Sequence, residues 1–106
     1  MDAIMKITSR ASGGALYLYL DGEIDECTVA ELRRAADELI DCHAAAKKFV
    51  FNLAGVRFMD STGIGFLIGR YKKIARYGGK MCLENPNVSA DKVLAVSGVY
   101  TLIPKI

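Results

Sequence analysis

Ser61 is the residue of this chain best placed to accept a covalent group. It sits in Phe58-Met59-Asp60-Ser61-Thr62-Gly63-Ile64-Gly65, between an expected strand and an expected helix. A hydroxyl that follows an acid at a helix start, with glycines clearing the space around it, is open to phosphorylation. The same residues also fit a purely structural role. Asp60 or Ser61 as the N-cap would contribute about 1 kcal/mol and need no further function. Residue types and spacing leave both readings open.

Other chemistries fit poorly. A nucleophile elbow needs Gly-x-Ser-x-Gly, and Met59 fills the first glycine position. A triad needs a histidine, and the only one, His43, falls near the end of a different helix. No Cys, Asp or Glu is spaced around His43 as a metal ligand set, so it reads as a surface or cap residue. A P-loop would require Gly-Lys-Ser/Thr after the glycines, which is absent.

The elements that position Ser61 can be read from the alternation of apolar residues. Ala3 to Thr8 reads as a short strand, and Ala11-Ser12-Gly13-Gly14 as a hairpin turn. Ala15 to Leu20 alternates, with Leu16, Leu18 and Leu20 on one face and Tyr17 and Tyr19 on a face left partly wet. Asp21 to Cys27 reads as an acidic loop. Thr28 and Glu31 match a capping box, opening a helix with Val29, Leu32, Ala36, Leu39 and Ile40 on its apolar stripe.

Lys48 to Leu53 is apolar on both faces, as in a central parallel strand. Ala54 to Asp60 reads as the lead into a helix over Thr62 to Tyr77. Ile64, Leu67, Ile68, Tyr71, Ile74 and Ala75 form its expected stripe, and Gly65 and Gly69 share a face that implies close packing. Arg70, Lys72, Lys73 and Arg76 read as a solvated basic face near the negative end of the helix dipole. Gly78-Gly79 ends the helix, and Lys80 to Glu84 is a further strand. After Asn85-Pro86-Asn87, a short helix over Ala90 to Ser97 stops at Gly98, and Tyr100 to Ile103 reads as extended.

The order ββαβαβα predicts a single α/β domain over residues 1–106. Its four-stranded sheet is mixed but mostly parallel, with one antiparallel edge strand. Right-handed crossovers pack the helices on one face. The 106 residues suffice for one compact domain.

A formal net charge of +2 gives no reason to expect nucleic-acid or anionic-membrane binding. The charge is nonetheless uneven. Residues 1–53 carry 6 basic and 9 acidic side chains, and residues 54–106 carry 8 and 3. Three cysteines without CxxC spacing predict reduced thiols in a cytoplasmic protein. Neither a signal-peptide pattern nor a membrane-length apolar run is present, so no membrane insertion is expected.

The segment from Phe58 to Lys72 resembles the signature of bacterial anti-sigma factor antagonists, the STAS-domain family. The resemblance extends through Gly22-Glu23-Ile24-Asp25, Val50-Phe51-Asn52-Leu53 and Ser97-Gly98-Val99, and so covers nearly the whole chain. Gly69-Arg70-Tyr71-Lys72 is similar to the helix of the sporulation-type members. It implies phosphorylation at Ser61, with Thr62 as a second hydroxyl. It also implies a partner-binding surface of Asp25, Asp60, Ser61, Thr62 and Gly63. Family members usually continue past the Ser-Gly-Val turn into another helix, expected to be shortened or absent here.

The function implied is that of a binding protein and not an enzyme. Unphosphorylated, it would bind an anti-sigma factor with serine kinase activity and so release the sigma factor. Phosphorylation of Ser61 would switch binding off, and a PP2C-type phosphatase would reset it. ATP and metal belong to the partner kinase, so the chain needs no cofactor. The alternative is a constitutive module of the same fold, such as a cytoplasmic subunit of a lipid transporter, with Ser61 only a helix cap.

Overall fold

The computed structural model describes residues 5–106. Strand β1 (Lys6–Ser12) pairs antiparallel with β2 (Ala15–Ile24). Only Gly13 and Gly14 turn, with φ of +59° and +81°. A two-residue hairpin needs positive φ at both positions, which glycine adopts without a side-chain clash. Ala11 and Ser12 therefore pair with Leu16 and Ala15 and lie in the strand, not in the expected turn. The strand expected over Ala3 to Thr8 runs on to Ser12, and Ala3 and Ile4 lie outside the described residues.

Strands β3 (Lys48–Met59) and β4 (Lys80–Glu84) add in parallel, giving the order β1-β2-β3-β4. The expected mixed sheet with one antiparallel edge strand is the one observed. Two strands are longer than their alternation implies. Asp21 to Ile24 is strand and not loop, as is Ala54 to Met59. The β2–β3 register shifts between Tyr19 and Asp21 and again between Gly22 and Glu23. Such irregularities break the period-two pattern while the backbone pairing continues. The chains approach closely there: a Cβ on Gly55 would lie 2.8 Å from the Leu20 carbonyl oxygen.

Helices α1 (Val29–Cys42), α2 (Ser61–Arg76) and α3 (Val88–Ser97) complete the domain. Leu16, Leu18, Leu20, Phe49, Phe51, Leu53, Met81 and Leu83 form the buried sheet face. Against it pack Leu32, Ala36 and Ile40 of α1, Phe66, Leu67 and Ile74 of α2, and Leu94 of α3. Phe51 and Phe66 meet edge-on at 6.4 Å, a favoured aromatic geometry. On the other sheet face Tyr17 and Tyr19 are half-buried, as expected of a partly wet surface. Arg10 stacks over the Tyr17 ring at 5.0 Å.

The buried face of α2 differs from the expected stripe. Gly63, Phe66, Leu67, Arg70 and Ile74 are buried, whereas Ile64, Ile68 and Tyr71 are half-buried and Ala75 is exposed. Arg70 is not part of a solvated basic face. It lies between α2 and α1, with Nε 2.9 Å from Oδ1 of Asp37 and its guanidinium 5.1 Å over the Phe66 ring. The Nε–Asp37 approach is an ion pair without hydrogen-bond alignment. Burial pushes the Arg70 pKa down, and Asp37 opposes that shift. Arginine can bury its stem on apolar surface, so a pattern that counts it as polar places the face wrongly. Gly65 and Gly69 do not mark a close contact either, because a Cβ at each would meet open space.

Asn87 caps α3, accepting the Ala90 N–H at 2.7 Å, so this helix starts two residues before the expected Ala90. It ends at Gly98 with φ +80°, as expected. Val99–Thr101 then forms a 3-10 turn where an extended segment was expected. The extended piece comes later. Lys105 bridges Leu83 in parallel, with the Leu83 N–H donating to Pro104 at 2.9 Å and the Ile106 N–H donating to Leu83 at 2.8 Å. The tail thereby pairs with the outer edge of β4.

Candidate functional site

The extended strands deliver the site. Ile24 and Met59, the last residues of β2 and β3, are register partners. The next residue of each chain, Asp25 and Asp60, therefore leaves the same end of the sheet from neighbouring strands. Asp60 is extended (φ −115°, ψ −165°), and its carboxylate accepts the Thr62 N–H at 2.9 Å. Its carbonyl accepts the Gly63 N–H at 3.0 Å. Asp60 is thus the N-cap of α2. Ser61, the first helical residue, is exposed, and its hydroxyl makes no hydrogen bond among the described residues. Of the two caps the residues allowed, Asp60 takes the role and leaves Ser61 without one.

Gly63 sets how closely the helix start sits on the strand ends. A Cβ there would lie 2.4 Å from Met59 Cγ and 3.3 Å from Ile24 Cγ2. The expectation that Gly63 clears space at the helix start holds, and this is the close approach that Gly65 and Gly69 lack. Thr62 is half-buried beside Ser61 and is the less accessible hydroxyl.

The Asp25 loop departs from the expected capping box. Thr28 makes no side-chain cap to α1. Its buried hydroxyl donates to the Glu23 carbonyl at 2.8 Å and accepts the Asp25 N–H at 3.1 Å. Asp25 instead binds the loop amides, its Oδ1 accepting Cys27 N–H at 2.9 Å and Thr28 N–H at 3.1 Å. Glu31 turns to Arg34, which holds its carboxyl below the ordinary range. The Thr28 oxygen is drawn back to the Glu23 carbonyl and the Asp25 N–H and away from the helix amides, while Asp25 closes an Asx-type turn within the loop.

Beside Ser61 runs a groove of about 420 Å³ lined by Ser61, Ile64, Lys92, Val93, Val96 and Ser97, almost wholly apolar. Val96, on its rim, is 90% exposed. An apolar groove open to water beside an exposed hydroxyl is the kind of patch that can receive a partner. Sequence reading did not place Ile64, Lys92, Val93 and Val96 around Ser61. A signal was present: α3 carries valines away from its buried Ala90 and Leu94, so one apolar face had to stay uncovered.

A larger groove, about 500 Å³, lies at the opposite end of the sheet, beside Gly13, Gly14, Cys42 and His43. Cys42 there is an exposed free thiol. The His43 Nδ1 is engaged with the Leu39 carbonyl at 2.8 Å. Among the described residues no group of three or more His, Cys, Asp or Glu is placed to hold a metal. No described helix is long and apolar enough to cross a membrane.

A sequence model of the STAS domain matches residues 6–106. The anti-sigma F factor antagonist of Paenibacillus polymyxa is 35% identical over 91 residues, covering 86% of this chain and 77% of its own. The fold is similar to that of the anti-sigma factor antagonist SpoIIAA in its unphosphorylated form. The TM-score is 0.77 at 24% identity, covering 95% of this chain and 88% of the other. It is also similar to the Bacillus cell fate determinant SpoIIAA in the phosphorylated form. There the TM-score is 0.66 at 24% identity, covering 96% and 90%. With a strand order, a capped serine-bearing helix and a matched sequence model that agree, this chain belongs to the STAS domain family.

Proposed function

We propose that this chain is an anti-sigma factor antagonist switched by phosphorylation of Ser61. The observation that carries the reading is the free, exposed Ser61 hydroxyl, relieved of capping by Asp60 and set at the rim of an apolar groove. The name of the Paenibacillus relative supports it. In the unphosphorylated state an apolar element of the anti-sigma factor fills the groove, and Asp25 and Asp60 face its rim contacts. The partner is also the kinase and supplies ATP and metal. The Ser61 oxygen attacks the γ-phosphorus, the bond to the ADP oxygen breaks, and the serine proton passes to a base of the kinase. A PP2C-type phosphatase reverses the modification.

The switch follows from desolvation. Phosphoserine carries about −1.5 to −2 charge at neutral pH. The positive end of the α2 dipole tolerates that charge at the first helical residue. A partner that must dry the adjacent groove does not, because burying an unpaired anion is costly. The off state therefore needs no refolding of the antagonist.

Incubation with ATP and each co-encoded histidine-kinase-like ATPase, read by intact mass, tests this. The expected result is a gain of one phosphoryl group, retained in Thr62→Ala and lost in Ser61→Ala. A full gain in Ser61→Ala overturns the assignment. No gain with any partner kinase leaves a constitutive STAS module as the reading.

A further inference from the structure

The groove beside Ser61 contains one cationic side chain, Lys92 on α3. Lys92 is exposed and forms no ion pair among the described residues. Several other cations of the chain are committed. Arg57 pairs with Asp21, Lys73 with Asp41, and Arg70 with Asp37. Asp91, the acid next to Lys92 in α3, is held by the Tyr100 hydroxyl and by Lys105 at 3.0 Å. Next to Ser61 in the chain, Asp60 spends Oδ1 of its carboxylate on the Thr62 amide. An uncommitted ammonium on a long stem thus borders an almost wholly apolar groove that it shares with the free Ser61 hydroxyl.

We propose that Lys92 is the intramolecular counter-ion of phosphorylated Ser61. This deepens the switch proposed above and rests on Ser61 being the modified residue. In the modified chain the Lys92 ammonium pairs with the phosphate across the groove, from α3 to the start of α2. The pair has two consequences. It holds the added charge locally, and it draws the lysine stem over the floor formed by Ile64, Val93 and Val96. A partner must then break an ion pair as well as dry a phosphate before it can use the groove. Both kinds of group favour such pairing: an ammonium is a compact point charge with three donors, and a phosphate offers three acceptor oxygens.

The test uses the full chain with phosphoserine installed at position 61 during translation, so that it does not depend on any kinase. The second ionisation of the phosphate is followed by phosphorus NMR as a function of pH. A cation held about 4 Å away stabilises the dianion, so Lys92→Gln should raise that ionisation by roughly half a pH unit. Lys92→Arg should keep the wild-type value. Lys72→Gln, outside the groove on the exposed side of α2, should not move it. Thermal midpoints confirm that the variants fold. The proposal is overturned if Lys92→Gln leaves the ionisation unchanged, or if Lys72→Gln shifts it equally. A failure of partner kinases to modify Ser61 would instead strike the functional reading and leave this measurement intact.

Discussion

The Asp60 carboxylate accepts the backbone N–H of Thr62 at 2.9 Å, across the residue between them. That residue is Ser61. Capping therefore falls to Asp60 and leaves the Ser61 hydroxyl without that role.

The division predicts opposite phenotypes. Asp60→Ala should cost about 1 kcal/mol of stability through loss of the cap. Ser61→Ala should stay within about 0.5 kcal/mol of wild type, as exposed substitutions do, and abolish modification. Urea titrations at fixed pH compare them. A Ser61→Ala loss as large as that of Asp60→Ala would return the capping role to Ser61.

Asp25 has a structural job as well as its expected place at the interface. Asp25→Ala removes the acceptor of two loop amides and should lower stability by roughly 1 kcal/mol. Asp25→Asn keeps an acceptor and removes the charge. It should fold nearly as well as wild type while binding the anti-sigma factor more weakly. Calorimetric affinity of Asp25→Asn equal to wild type would remove the aspartate's charge from the interface.

The helix glycines should split. Gly63→Ala forces a Cβ against Met59 and should destabilise by about 1–3 kcal/mol. Gly65→Ala and Gly69→Ala enter open space and should stabilise by about 1 kcal/mol each, through helix propensity. Thermal melts of the three variants decide it; a stabilised Gly63→Ala would contradict the close seat of α2 on the strand ends.

The C-terminal tie should be acid-sensitive. Hydrogen bonds from Tyr100 and then Lys105 lower the Asp91 pKa from its ordinary 3.8. The folded value lies below the unfolded one, so the stabilisation is complete above the unfolded value and is lost as pH falls through the folded one. Asp91→Asn should flatten the decline of stability on acidification below about pH 4. Stability curves for wild type and Asp91→Asn that stay parallel down to pH 2 would exclude a contribution from this tie.

The strand–helix alternation, the Gly13-Gly14 turn, the Gly78-Gly79 and Gly98 stops and the Ser61 motif were all legible in the residues themselves. Each is a local preference: a period of two or 3.6, a positive φ, or a spacing between neighbours. Three things were decided by tertiary structure. Which acid caps which amide depended on how Asp25 and Thr28 leave β2. The face of α2 that is buried depended on Asp37 waiting on α1 for Arg70, a contact between residues far apart in the chain. The groove at Ser61 exists because α3 packs Ala90 and Leu94 inward and leaves Val96 beside the start of α2. Periodicity records how apolar a side chain is, but not which neighbour the fold will bring to cover it, and so the exposed Ser61 at a helix start was readable from sequence while the surface around it was not.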